Sequence, residues 1–240
     1  MRIALFGDIH ANLEALEAVL ADAATQDVMD YVCLGDIVGY NADPAACLAI
    51  IQELECPTVK GNHDHDAAGN HSLENMNPVA ATAMEWTRTQ LTDEQRRWLA
   101  RLRMVRQVFD FTIVHSTLDQ PANWNYVTNR FDAMANFSYQ YTQVCFHGHT
   151  HLPRVYAKSS RVNEVPSESI AIEDGMKYFI NIGSVGQPRD GDWRACYAIF
   201  DLETNLLVFR RVEYDIKTTQ KKILAAGLPE MLAERIQEGR

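Results

Sequence analysis

The feature that most constrains this chain is a rhythm near its N-terminus, where strand-sized runs end at a glycine followed by carboxylates, imidazoles or an amide. Ile3 to Phe6 ends in Gly7-Asp8-Ile9-His10, Tyr31 to Leu34 in Gly35-Asp36, and Pro57 to Lys60 in Gly61-Asn62-His63-Asp64. Helical patterns separate these runs. The first spans about Asn12 to Ala24, with Leu13, Leu16 and Leu20 on one face. The second opens at Asp43, a good N-cap, with Pro44 at the first helical position. Strands joined by helices of this length predict a parallel sheet with right-handed crossovers. In such sheets ligands bind beyond the carboxyl ends of the strands, so polar clusters far apart in sequence can meet there.

The stretch 66–103 interrupts the rhythm. It predicts one helix over Pro78 to Gln90 and another from Thr92, where Thr92-Asp93-Glu94-Gln95 matches a capping box. Strand-like runs return at Val105 to Phe109, Phe111 to Val114, Val144 to Phe146, Arg154 to Tyr156, Tyr178 to Ile182, Cys196 to Asp201 and Leu206 to Val212. The last two, split by Leu202-Glu203-Thr204-Asn205, predict a hairpin. Two helices close the chain, over Asp215 to Ala226 and Pro229 to Gln237. With no internal repeat or linker, residues 1–240 are expected to form a single domain.

Two further polar clusters follow apolar runs: His115, and Gly148-His149-Thr150-His151. Taken singly, each cluster has an ordinary explanation. Asp8 and Asp36 could serve turns, and His115 could be a hydrogen-bonded core histidine. Two histidines spaced by two on an extended segment point the same way, which makes His149 and His151 the strongest single pair. The joint occurrence decides the matter, because five of the eight histidines lie in these motifs and two more, His65 and His147, directly beside them. Carboxylate, imidazole and amide donors without thiolate suit borderline divalent ions such as Mn, Fe, Zn, Ni or Co.

The order of motifs resembles the calcineurin-like metallophosphoesterase family, in its smaller bacterial phosphodiesterase-like branch. The family pattern runs D-x-H, G-D, G-N-H-D/E, a lone H, then G-H-x-H. All five elements stand here in order, as Asp8-Ile9-His10, Gly35-Asp36, Gly61-Asn62-His63-Asp64, His115 and Gly148-His149-Thr150-His151. The resemblance implies an α/β fold, a four-layer α-β-β-α sandwich of two mixed sheets flanked by helices. Residues 66–103 would form a helical cap insertion beside the metals. Carried over position by position, one metal takes Asp8, His10 and His151, the other takes Asn62, His115 and His149, and Asp36 bridges them. The expected cofactors are two divalent transition-metal ions, Mn or Fe foremost, with Zn, Ni or Co as alternatives. Cations roughly 3.5–4 Å apart can share a hydroxide and clamp an in-line displacement, so a metal-bound hydroxide is expected to attack phosphorus without a phospho-enzyme. His63 is expected to donate a proton to the leaving oxygen, and Asp64 to orient His63. Asn12 is expected to help hold a phosphate oxygen at a helix N-terminus.

The same resemblance extends to Asn181-Ile182-Gly183-Ser184-Val185-Gly186-Gln187-Pro188-Arg189-Asp190-Gly191-Asp192. Within it Arg189 could grip a phosphate bidentately, or could pair with Asp190 or Asp192. Trp86, Trp98, Trp124, Tyr126 and Trp193 are candidate platforms for a nucleobase, or core aromatics. The expected substrate is a small phosphorylated molecule of nucleotide type, a phosphodiester or dinucleoside polyphosphate. Alternatives are a protein serine/threonine phosphatase and a non-catalytic scaffold of the same fold, although such scaffolds tend to lose ligand positions that are all filled here. His147 fits no family position and is expected to be structural, while His65 and His71 are expected on a solvated loop. A net charge of −10 argues against duplex nucleic acid as the partner. Five cysteines without a Cys-x-x-Cys pair, no apolar run of membrane length and no signal-like N-terminus predict a cytoplasmic protein.

Overall fold

The computed structural model describes residues 1–74, 76–166 and 168–240. Two mixed sheets lie face to face. The first has the order β2-β1-β10-β11-β8, built from β1 (Arg2–Phe6), β2 (Val28–Cys33), β8 (Ser169–Ala171), β10 (Ala195–Asp201) and β11 (Leu206–Val212). The second has the order β3-β4-β5-β9-β6-β7, from β3 (Val105–Val108), β4 (Phe111–Val114), β5 (Val144–His147), β6 (Arg154–Lys158), β7 (Val162–Val165) and β9 (Lys177–Asn181). β1 and β2 are parallel, as are β4, β5 and β9, whereas β10 meets β1 antiparallel.

The strand period of two explains why both faces of β1 are apolar. Ile3 and Leu5 point into the seam between the sheets, against residues such as Phe146 and Ile180 of the second sheet. Ala4 and Phe6 point outward, to the layer formed by α1 (Leu13–Ala24) and α2 (Pro44–Glu53), where Leu16, Val19, Leu48 and Ile51 cover them. β5 behaves likewise: Val144 and Phe146 face the seam, and Cys145 faces Ala133 and Phe137 of the segment carrying α6 (Arg130–Asn136). The result is helix, sheet, sheet, helix. Each fully buried Leu, Ile or Phe side chain contributes roughly 1.5–3 kcal/mol, so this three-part core holds both sheets in place. A fourth cluster joins Ala83 of α4 (Pro78–Gln90) to Ile223 of α7 (Ile216–Ala225) and to Leu232 and Ile236 of α8 (Glu230–Glu238). A polar tie secures α1: the Asp22 carboxylate accepts from Tyr197 Oη at 2.6 Å and from Arg210 Nε at 2.6 Å, linking it to β10 and β11.

Most elements fall where the sequence predicts them. The Thr92 capping box forms at the head of α5 (Asp93–Arg101), with Gln95 N–H donating to Thr92 Oγ1 at 3.2 Å and Thr92 N–H to Gln95 Oε1 at 2.9 Å. The hairpin of β10 and β11 pairs Asp201 with Leu206. Three expectations change. Pro57 to Lys60 makes single bridges only, Thr58 to Cys33 and Val59 to Arg103, since Pro57 lacks an N–H and a helix begins just after Gly61. Asp43 occupies the N-cap of α2 without a side-chain cap; its carboxylate instead meets Lys222 Nζ at 2.9 Å. Asn62-His63-Asp64 is the first turn of a short helix, α3 (Asn62–Ala68). β7, β8 and α6 were not predicted. In the stretch 66–103, Asn75 lies outside the described residues.

Candidate metal centre

The loops that follow β1 and β2 run side by side. Asp8 N–H donates to Gly35 O at 2.9 Å and His10 N–H to Asp36 O at 2.9 Å. The turn after β5 closes on them, with His149 N–H donating to Asp8 Oδ2 at 3.0 Å. Two glycines permit this approach. A Cβ on Gly61 would land on the Asp36 carboxylate, and one on Gly148 would land on the Asp8 carboxylate. Asp8, His10, Asp36, His149 and His151 all hold left-handed backbones, with φ of 49°, 48°, 51°, 71° and 61°. Such conformations cost non-glycine residues free energy and cluster at functional sites.

These turns bring the expected ligands together. Side-chain donor atoms of Asp8, His10 and His151 lie within 4.8 Å of one another, as do those of Asp36, His115 and His149, and those of His10, Asp36 and His63. His10 Nε2 and His151 Nε2 are 3.0 Å apart, His151 Nε2 is 3.3 Å from Asp8 Oδ1, and His115 Nε2 is 3.3 Å from Asp36 Oδ2. Asp8, His10, Asp36, His115 and His151 are all buried.

The ring nitrogens on the far sides explain how the imidazoles are aimed. His10 Nδ1 sits 3.3 Å from Val38 O, His115 Nδ1 2.7 Å from Leu34 O, His151 Nδ1 2.6 Å from Gln187 O, and His149 Nε2 2.8 Å from Trp124 O. A carbonyl only accepts, so each of these nitrogens carries the proton and the other presents its lone pair. Among the described residues Asn62 Oδ1 is buried without a hydrogen-bond partner, while His115 Nε2 faces the Asp36 carboxylate. Inward lone pairs, a buried orphan amide oxygen and two carboxylates form a donor set that fits divalent cations.

Electrostatics agree with that fit. Burial raises Asp8, with Asp36 adding to the rise, while His115 opposes it. At Asp36 burial works against ionisation, yet His115 and His63 hold the carboxyl well below its usual range. At His115 burial disfavours the proton, but Asp36 and Asp8 raise it to about 10. Burial drives His10 and His151 well below the ordinary imidazole value, which keeps them neutral. Two carboxylates set against the neutral rings of His10 and His151 leave the site short of positive charge, and the same deficit is what raises His115.

The other expected residues divide. His63 is buried, its ring centroid 4.8 Å from that of His10 and 4.5 Å from that of Tyr40, and its Nδ1 has no partner. Asp64 does not orient the His63 ring. It sits at the third helical position and faces back, accepting from the N–H groups of Asp36 at 2.8 Å, Ile37 at 2.9 Å and Gly61 at 3.0 Å. Burial and Asp36 push its carboxyl up to about 7, against those donors. Asn12 does not reach the pocket. It is fully buried, its Oδ1 accepts from Ala15 N–H to cap α1, and its Nδ2 donates to Gly186 O. Arg189 does reach the pocket, and pairs with neither acidic neighbour: Asp190 binds Arg211 and Asp192 binds Arg194.

A cavity of about 150 Å³ opens over the centre, lined by Asp36, Asn62, His63, His149, His151 and Arg189 together with Tyr40, Asn77 and Tyr126. Tyr126 stacks on His149 with ring centroids 4.2 Å apart. Trp86, Trp98 and Trp193 pack against the core clusters instead. His147 is buried, stacked on Phe179 at 4.1 Å and pushed by burial down to about 3, in keeping with a structural role. His65 is exposed and stacks on His71. The sequence reading passed over Tyr40 and Asn77. Tyr40's one signal was its place four residues after Asp36, and Asn77 had only the helix start at Pro78. The five cysteines are free. Among the described residues no helix is long and apolar enough to cross a membrane.

Comparison with known proteins matches this geometry. A family model described as a calcineurin-like phosphoesterase superfamily domain matches residues 1–205. An uncharacterized protein of Methanocaldococcus jannaschii is 38% identical over 247 residues, covering 99% of this chain and 98% of that protein. The crystal structure of a metallophosphoesterase from Sphaerobacter thermophilus is 41% identical, with a TM-score of 0.88 over 100% of this chain and 99% of that one. A hypothetical protein from Pyrococcus horikoshii OT3 has the same fold at 18% identity, with a TM-score of 0.82 over 100% of this chain and 98% of that one.

Proposed function

The chain belongs to the calcineurin-like phosphoesterase superfamily and is a metal-dependent hydrolase of phosphoester bonds, and from that premise we propose a two-metal mechanism on a small, nucleotide-type substrate. The observation that carries the two-metal reading is the pair of donor groups, Asp8/His10/His151 and Asp36/His115/His149, with Asp36 Oδ2 3.6 Å from His10 Nε2 of the first and 3.3 Å from His115 Nε2 of the second. Asn62 completes the second group with its unpartnered Oδ1. Two cations held by these donors, Mn or Fe foremost, would supply the Lewis acidity that activates a water and offsets the charge of the phosphoryl oxygens.

The chain's own residues do the remaining work. The backbone carbonyls behind His10, His115, His149 and His151 fix the rings, so the donor geometry is set before any ligand arrives. Asp64 ties the Asp36 loop to Gly61 through its three N–H acceptances, which makes it a positioning residue. His63 lines the cavity with a ring that hydrogen-bonds no group among the described residues, leaving it free to donate to the leaving oxygen. Arg189 faces the same cavity and offers its guanidinium to a phosphoryl oxygen. The exposed face of Tyr126, at the cavity wall, supports a planar base as the leaving portion. Met76, Asn77 and Ala80 bring the stretch 66–103 to the same wall, which supports its reading as a cap.

The test is elemental analysis of the purified protein, paired with hydrolysis of bis-p-nitrophenyl phosphate after Mn is restored. About two transition-metal ions per chain are expected, with activity abolished in Asp36→Asn. One ion per chain, or an Asp36→Asn protein as active as the parent, would sink the two-metal reading.

A further inference from the structure

We infer that Arg189 and Arg235 form a second anion subsite beside the metal pocket, which takes a further phosphoryl group of the same substrate. This rests on the reading that the metal pocket holds the reacting phosphoryl group. A cavity of about 470 Å³ lies next to that pocket and shares Tyr40, Asn77, Ala80 and Arg189 with it. Its far wall is α8, which contributes Arg235. A cavity of this size is in the range of small-molecule sites.

The two guanidinium groups are short of partners. Among the described residues neither Arg189 nor Arg235 makes an ion pair with an Asp or Glu side chain. Among the same residues Arg189 Nε is buried with no hydrogen-bond partner, and Arg189 Nη2 donates to the neutral Gln187 Oε1 at 3.0 Å. Arg235 Nε donates to the main-chain oxygen of Arg240, the last residue of the sequence, at 2.7 Å, which leaves its two Nη groups for a ligand, and its guanidinium lies 5.9 Å over the Tyr40 ring. Glu234 and Glu238 also border the cavity, but both are exposed, and Glu238 is held by Arg240 at 3.1 Å. Burial lowers the proton affinity of Arg235, and the like charge of Arg189 lowers it further. Both guanidinium groups line one cavity, with donors unused. An anion between them relieves both the repulsion and the unmet hydrogen bonds.

Tyr40 stands between the two sites, its ring 4.7 Å from His10 on one side and under Arg235 on the other. A substrate whose reacting phosphoryl group is at the metals would run past Tyr40 to bring a further phosphoryl group to Arg235. The substrate class that satisfies both sites is a phosphoanhydride, or an ester carrying a second phosphate. α8 begins well after residue 205, where the family match ends, so this selectivity comes from the chain's own C-terminal helices.

The test is calorimetric binding of inorganic tripolyphosphate and of orthophosphate to the full chain at a fixed free Mn concentration. The parent protein is expected to favour tripolyphosphate by about tenfold or more, the scale of a charge-assisted hydrogen bond. Arg235→Gln should lose that preference, and Arg235→Lys should keep part of it. If Arg235→Gln melts early, Arg235→Met, which keeps the apolar stem and removes the charge, reads the same quantity. Equal affinities in the parent, binding of neither anion, or an undiminished preference in the uncharged Arg235 variants overturns the proposal. Binding needs no turnover, so the two readings fail separately. A protein that hydrolyses nothing yet shows the arginine-dependent preference loses the catalytic reading alone.

Discussion

His63 and Asp64 are adjacent in sequence and act in different places. His63 turns its ring into the cavity, while Asp64 turns back to bind three backbone N–H groups. His63→Ala is therefore expected to lower kcat by about 10²–10⁴, the usual weight of a positioned proton donor, with metal content unchanged by elemental analysis. Asp64→Asn should do the reverse, weakening metal retention by about 10- to 100-fold in chelator competition and recovering much of its turnover at saturating metal. If Asp64→Asn instead lowers turnover with full metal content, the sequence-based assignment of Asp64 to His63 is restored. The donors Asp8, His10, Asp36, His115, His149 and His151 were legible because each follows a strand, and strand ends converge. Asn12 misled for a physical reason: a helix N-cap spends its side chain on the helix, and this one is sealed by Gly186 and Thr219. Tyr40 and Arg235 were illegible because no periodicity marks a lone aromatic after a turn or an arginine on a surface helix.

Among the elements, α1 adds to its apolar packing on the first sheet a polar tie through the Asp22 carboxylate. Tyr197 and Arg210 hold Asp22 below the ordinary 3.8 of an aspartate, Arg210 most strongly. A carboxyl whose folded pKa is depressed stabilises the fold above its unfolded pKa, and that stabilisation is lost as pH falls through the folded value. The parent protein should accordingly lose more stability than Asp22→Asn between about pH 5 and pH 3 in urea unfolding, with the two curves converging at the acid end. Parallel curves would mean that the tie contributes nothing. Helices with strong punctuation, such as Pro78–Gln90 and the Thr92-capped α5, were legible to within a residue. The short α3 and α6 were not, since seven residues give barely two turns and no repeat of an apolar stripe. Their starts carry local caps, Gly61 with Asp64 for α3 and Asn129 for α6, but a cap without an apolar stripe behind it does not mark a helix.

At the scale of the molecule, periodicity spoke for parallel pairing near the N-terminus, and the two-sheet arrangement came from the family resemblance. Pairing of β1 with β10 is invisible to local pattern because Arg2 and Asp201 are 199 residues apart. The same convergence loads the molecule's centre with buried carboxylates and imidazoles. Metal bound only by the native state adds about 2.7 kcal/mol at a hundredfold excess over Kd. Stripping by chelator should then lower the melting temperature by roughly 5–10 °C at this chain length, reversed by Mn in scanning calorimetry. An unchanged melting curve would show that the cluster binds no cation. The central position of β1 also sets a clock on biosynthesis. A ribosome adding about 5–20 residues per second needs roughly 10–40 s between exposing the first strand and delivering its antiparallel neighbour. During that interval the nascent chain presents β1 with one edge unpaired, and every candidate metal donor from Asp8 to His151 is translated before that edge can be covered.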